Sequence, residues 1–140
     1  MAEFEYKTLA DIEELVRKFE SCELPVSEFK HRQHITVALW YLKHFAPQEA
    51  AERMRRRLRR LLNHYNLQGY NETLTLFWMR RIKKALDEFG TENFDAIIVA
   101  GVLAACGDSQ LVYDYYSKER ISSEEARESW IEPDLRPLDF

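Results

Sequence analysis

Only four glycines and four prolines interrupt these 140 residues, and that scarcity of chain-breakers constrains the fold more than any other feature. Glycine and proline mark turns and end helices, so a chain with so few must run in long regular segments. Within the segments apolar residues return at intervals of three and four, the period of one helix face, and not in the alternation of a strand. The expectation is an all-α protein: a single-domain orthogonal bundle over residues 1–140, with about five main helices, short C-terminal helical segments and an extended tail.

The first helix is expected from about Thr8 to Cys22, with Ile12, Leu15, Val16 and Phe19 on one side. Glu23-Leu24-Pro25 ends it, because proline disfavours helical geometry in the residue before it. The second starts near Ser27 as N-cap and runs to His44 or Phe45. Pro47 opens the third, which reaches about Asn66 with the stripe Ala50, Met54, Leu58, Leu61 and Tyr65. Gly69 closes the connection, Asn71 caps a fourth helix from Glu72 to Phe89, and Gly90 stops it. The fifth, Glu92 to Cys106, carries Phe94, Ile97, Ile98, Val99, Val102 and Leu103 around most of its circumference, which predicts a central position. Gly101 costs that helix about 1 kcal/mol relative to alanine, so it points to a close helix crossing. A short segment from Gln110 to Tyr116 and one capped at Ser122 or Ser123 precede the tail, Ile131 to Phe140.

Nearly half the residues are hydrophobic, enough for one core and unlike a disordered chain. The N-terminal stretch is acidic and lacks the basic start and apolar run of a secretory signal, and no apolar run approaches the roughly 20 residues of a membrane span. Cys22 and Cys106 have no metal-ligand spacing. These features predict a reduced, cytoplasmic setting without a membrane partner. The net charge of −4 is uneven: residues 51–84 hold ten Lys or Arg against Glu52 and Glu72. Either the middle meets an anionic partner or the acidic ends fold over and neutralise it. Nucleic acid is not the expected partner, since dedicated domains usually carry a positive excess and no recognised motif accompanies the arginines.

The stretch "FKHRQHITVALWYL" holds two histidines three residues apart. His31, His34, Ala38, Tyr41 and Phe45 fall on one helical stripe, so both imidazoles are expected to face inward as neighbours able to reach one ion or ligand. Two histidines alone do not make a metal centre; a catalytic zinc site usually needs three protein ligands, and non-haem iron commonly adds a carboxylate. The third group is expected from "GYNETLT", where Asn71, Glu72 and Thr75 sit at a helix start whose free N–H groups and dipole favour an anion. Ordinary capping by Asn71, with Glu72 complementing the dipole, explains the same residues without function. In "RMRRRLRR" Arg55, Arg56, Arg59 and Arg60 cover the polar, solvated face, while Arg53 and Arg57 flank the apolar stripe and are candidates for orienting an anionic ligand or Glu72.

These motifs resemble those of an uncharacterised bacterial family of small helical proteins that carry "W-x-H-x-x-H-L-x-V-A-x-x-Y", an arginine-bearing helix ending in "Y-N", and "G-Y-H-E-T-I-T-x-F". The corresponding stretches are "FKHRQHITVALWY", "RRLLNHYN" and "GYNETLTLFW", and the tail "WIEPDLRPL" is also similar. The resemblance places His31 and His34 at the first two family histidines and Tyr70, Glu72, Thr73 and Thr75 in the second motif. It also puts Asn71 where the family has a third histidine. Asparagine binds a transition metal poorly and cannot shuttle protons near neutral pH.

Two functions remain open on sequence. The first is a small-molecule enzyme or ligand-binding protein with His31, His34 and Glu72 in the working roles and Asn71, Thr75, Tyr70 and Arg57 as ligand-binding residues. In that reading a divalent transition metal would be held by His31, His34 and Glu72, and the ligand would be a small or anionic molecule. The second is a non-catalytic interaction module acting through the arginine helix or the aromatics of "LVYDYY", which would also suit a homodimer.

Overall fold

The computed structural model describes Tyr6, residues 8–89 and residues 96–140. Among these the chain is all-α, with no strand. The helices are α1 (Leu9–Glu20), α2 (His31–His44), α3 (Pro47–His64), α4 (Glu72–Phe89), α5 (Ala96–Cys106), α6 (Lys118–Ile121) and α7 (Glu124–Glu128), with 3-10 turns at Val26–Glu28 and Ser109–Asp114. The expected stop at Gly90, and the expected start of the fifth helix near Glu92 with Phe94, lie outside the described residues.

Local chemistry sets most of the boundaries. Thr8 caps α1: its hydroxyl accepts the Asp11 N–H while the Asp11 carboxylate accepts the Thr8 N–H. At the other end Glu23 N–H reaches back to the Lys18 carbonyl and Cys22 N–H to that of Phe19, with Cys22 at φ 60°. α3 ends the same way, through Leu67 to Leu62, Asn66 to Asn63, and Asn66 at φ 54°. These are Schellman closures, and they end α1 ahead of Pro25. Asparagine tolerates the left-handed conformation better than most residues; cysteine does not.

α2 begins three residues later than its sequence suggests, with Lys30 and not Ser27 at the N-cap. Ser27 lies inside the 3-10 turn, and the chain bends at Phe29 (φ −92°, ψ 75°), which stacks its ring on Phe19 with centroids 4.9 Å apart. The Lys30 N–H is then satisfied by the Gln33 side chain at 3.1 Å. His31 therefore occupies the first helical position and His34 the fourth.

The central pair is α2 and α4, and α5 is more peripheral than its composition predicts. α2 packs on α1, α3, α4 and α5, and buries Ile35, Thr36, Val37, Ala38, Leu39, Tyr41 and Leu42 around almost its whole circumference. α4 packs on α2, α3, α5 and α7 and buries Phe77, Trp78, Met79, Ile82, Ala85 and Leu86. α5 buries Val99, Val102, Leu103 and Cys106, yet Ile97, Ala100, Ala104 and Ala105 are exposed. By length and composition the stretch Ala96–Asp114 is apolar enough to cross a membrane; in the fold it breaks after Cys106, where Asp108 caps the next 3-10 turn. The tail is extended, and it knits α4 to the last helices: Thr73 Oγ1 donates to the Ser129 carbonyl and accepts the Ile131 N–H, and the Tyr116 hydroxyl donates to the Ile131 carbonyl at 2.6 Å.

Candidate functional site

The start of α2, the loop before α4 and the first turn of α4 enclose a cleft of about 250 Å³. Its polar residues are Lys30, His31, His34, Tyr70, Asn71 and Thr75, and its apolar walls come from Val26, Phe29, Leu58, Leu61, Leu62 and Leu74. Five sequence-predicted site residues, His31, His34, Tyr70, Asn71 and Thr75, thus line one cavity. Glu72 and Arg57 do not line it.

His31 bridges two helices. Its Nε2 lies 2.9 Å from the carbonyl oxygen of Cys106, at the end of α5. A carbonyl can only accept, so Nε2 carries the proton and Nδ1 is left as an acceptor in the neutral ring. The bond also satisfies a helix-terminal carbonyl that α5 itself cannot reach. The edge of the Trp78 indole meets the imidazole with centroids 4.5 Å apart. Burial lowers the His31 pKa more than the Cys106 carbonyl raises it, so the ring is neutral at pH 7.

His34, one turn on, is packed at a tilt against Phe29 with centroids 5.9 Å apart. Its Nε2 is enclosed and has no hydrogen-bond partner. Burial, reinforced by the neighbouring His31, pushes its pKa down to about 4. An enclosed imidazole nitrogen without a partner is an exception among buried polar groups.

Asn71 is a working cap. Its Oδ1 accepts the Leu74 N–H at 2.9 Å, and its Nδ2 donates to the Ile121 carbonyl at 2.6 Å. The Thr75 hydroxyl donates back to the Asn71 carbonyl at 2.9 Å. The first turn of α4 is thereby tied to α6 as well as to itself.

Glu72 is committed to another task. Arg55 holds it bidentately, Nε to Oε1 at 2.8 Å and Nη2 to Oε2 at 2.5 Å, and the Tyr70 hydroxyl adds a bond to Oε1 at 2.6 Å. Burial alone would raise the carboxyl, but these bonds and the Arg55 charge outweigh it and hold Glu72 below its ordinary pKa. Burial and the Glu72 bond push the Tyr70 phenol up to about 12, and the Arg59 guanidinium lies over its ring, 4.6 Å from the centroid. Arg57 turns the other way: Nη1 donates to the Glu20 carbonyl at 3.2 Å, tying α3 to α1.

Sequence reasoning set Arg55 on the solvated face and missed it as the partner of Glu72. A tight hairpin between α3 and α4 would put Glu72 opposite the end of α3, near His64. Residues 65–71 instead carry the start of α4 back along α3 to Arg55, a path that no helical period encodes. Trp78 and the Cys106 carbonyl, both touching His31, were also unmarked as site components, because neither a ring edge nor a main-chain oxygen leaves a motif.

The donor set does not fit a transition-metal centre. Among the described residues no three His, Cys, Asp or Glu side chains group to hold an ion. The Glu72 oxygens are taken by Arg55 and Tyr70, and His31 Nε2 by a carbonyl. A roomier groove of about 900 Å³ lies between α3 and α4. Its lysines are paired, Lys83 with Asp87 and Lys84 with Glu88, whereas the smaller cleft contains the unpartnered histidine. Compared with known proteins, the chain matches no family model, no curated protein and no solved structure.

Proposed function

We propose that this chain is a small-molecule-binding protein whose ligand occupies the cleft beside His31 and His34. The observation that carries this reading is that His34, whose enclosed Nε2 has no partner, lines the same cavity as His31, Asn71, Thr75 and Tyr70, which all have partners. Leaving a buried polar group unpaired costs roughly 1–3 kcal/mol, a cost that a ligand able to bond it would remove. The cavity is small and mostly apolar with a few convergent polar groups, the usual make-up of a ligand site. The motif resemblance to the HxxH-bearing bacterial family supports the same location. With both rings neutral near pH 7, a proton-accepting role toward a bound molecule is chemically available to His34.

The test is a fragment screen followed by proton–nitrogen correlation NMR on labelled protein. Hits should perturb the amides of His31, His34, Tyr70 and Thr75 together, and His34→Phe should weaken them. A screen whose hits all map elsewhere, or none at millimolar concentration, overturns the proposal.

A further inference from the structure

The outer face of α3 forms a second depression that shares no lining residue with the cleft. Every Lys or Arg position of α3 is an arginine, whereas α4 mixes lysine with arginine. Three of the α3 arginines are matched, Arg53 to Glu49, Arg55 to Glu72 and Arg57 to Glu20. Arg56, Arg59 and Arg60 are exposed, and among the described residues no carboxylate pairs with them. The acidic ends of the chain therefore do not neutralise this face among the described residues.

Arg55, Arg56, Arg59 and Arg60 surround a hollow of about 560 Å³, together with Asn63 and a single carboxylate, Glu52. Glu72 answers the charge of Arg55, so the attraction for an anion comes from Arg56, Arg59 and Arg60. One of these three is already positioned: Arg59 lies over the Tyr70 ring, 4.6 Å from its centroid, which lowers the ordering cost of binding. Guanidinium groups grip phosphate oxygens two at a time, a geometry that lysine cannot offer. From Arg56 to Asn63 the face runs only about 10 Å. Beyond it a chain with a net charge of −4 repels a long polyanion, while a compact one meets the arginines alone. Linked phosphates also concentrate several charges within that length, where an acidic peptide spreads its carboxylates along a backbone. We infer that the arginine face of α3 binds a compact oligophosphate, free or as the phosphate chain of a nucleotide.

Inorganic tripolyphosphate is the probe, titrated into the full chain at low ionic strength and followed by calorimetry and at the arginine Nε–H resonances. Binding should be saturable, should move the resonances of Arg56, Arg59 and Arg60 in the wild-type protein, and should weaken severalfold at about 0.15 M salt. Orthophosphate should bind about tenfold more weakly, because it cannot bridge several guanidinium groups. Arg56→Gln/Arg60→Gln should lose about tenfold or more, whereas Lys83→Gln/Lys84→Gln, which removes the same charge from α4, should bind as the wild type does. Magnesium-free ATP should bind at least as tightly; equal affinity assigns the site to the phosphate chain alone, and tighter binding to a nucleotide. Equal loss in the two double variants would overturn the site in favour of general attraction. Hexaglutamate binding more tightly than tripolyphosphate would overturn it in favour of an acidic protein segment, and oligothymidylate binding more tightly in favour of nucleic acid. Unmoved arginine resonances would overturn it outright.

Discussion

At the scale of single residues the chain balances ordinary capping against one exposed liability. Asn71 supports α4 through two bonds of different kinds, so its substitutions should separate them. Asn71→Ala loses both the Leu74 cap and the tie to Ile121 and is expected to cost about 1–2 kcal/mol. Asn71→Asp keeps the acceptor and complements the helix dipole, so it should cost less than half of that; urea denaturation of both variants checks the order. His34 is the liability. Its pKa of about 4 in the fold lies below the ordinary 6.5, so between those values the unfolded chain binds more protons than the native one. Stability therefore rises with pH through that window and is lost as pH falls from about 6.5 to about 4, by up to about 3 kcal/mol from this ring. Glu72, held below its ordinary value, adds a loss of the same sign at lower pH. Urea midpoints measured from pH 7 to pH 4 should fall steeply in the wild type and less steeply in His34→Phe. Equal slopes in the two proteins would show that His34 is not buried in its neutral form.

At the scale of elements, the two described glycines of the α5 region make opposite predictions. A methyl added at Gly101 would sit 2.6 Å from the tip of the Phe89 ring, which is half exposed and free to swing. The helix-propensity gain of about 1 kcal/mol then offsets the displacement, and Gly101→Ala should be neutral within about 0.5 kcal/mol. At Gly107 the same methyl would meet the Leu103 carbonyl oxygen at 2.5 Å, and main chain cannot swing aside. Gly107→Ala should cost about 1–3 kcal/mol and disturb the end of α5 that His31 binds; thermal melts of the two variants give the comparison. The same contrast shows what was legible in the sequence. The positions of α1, α3 and α4 follow from Thr8, Pro47 and Asn71, because caps are local chemistry. Gly101 reads from sequence as a close helix crossing, whereas what lies against it is the tip of the Phe89 ring and no main chain of another helix. The rank of α5 was not legible, because composition says how apolar a helix is but not how many neighbours cover it; Ile97 is 78% exposed. Likewise helical phase set both histidines inward, while the capture of Glu72 by Arg55 depends on how α4 crosses α3.

At the scale of the whole molecule, the segment after α7 behaves as a strap. Ile131 is buried and exchanges bonds with Thr73 and Tyr116, Leu135 N–H donates to the Tyr115 carbonyl, and Asp134 accepts from both the N–H and the hydroxyl of Ser117. Phe140 closes the far end edge-on to Phe77 and Tyr115, with centroids 5.3 and 5.5 Å away. These contacts join α4 to α6 and α7, and Asn71 links the start of α4 to α6 through Ile121, so the strap and the cleft share a frame. Deleting residues 131–140 should uncover Phe77, Tyr115 and Tyr116 and leave the Thr73 and Tyr116 hydroxyls short of a partner. The expected loss is about 3–5 kcal/mol, or roughly 10–15 °C in melting temperature. Because the strap's described bonds and ring contacts run to α4, to α6 and to Tyr115 and Tyr116, and none to α2, the α2–α5 contact made by His31 and Cys106 should outlast the strap's removal. Hydrogen exchange should then show the amides of α6, α7 and the first turn of α4 losing protection while those of α2 keep theirs. Uniform loss across both groups would mean that the strap supports the whole core and not one side of it.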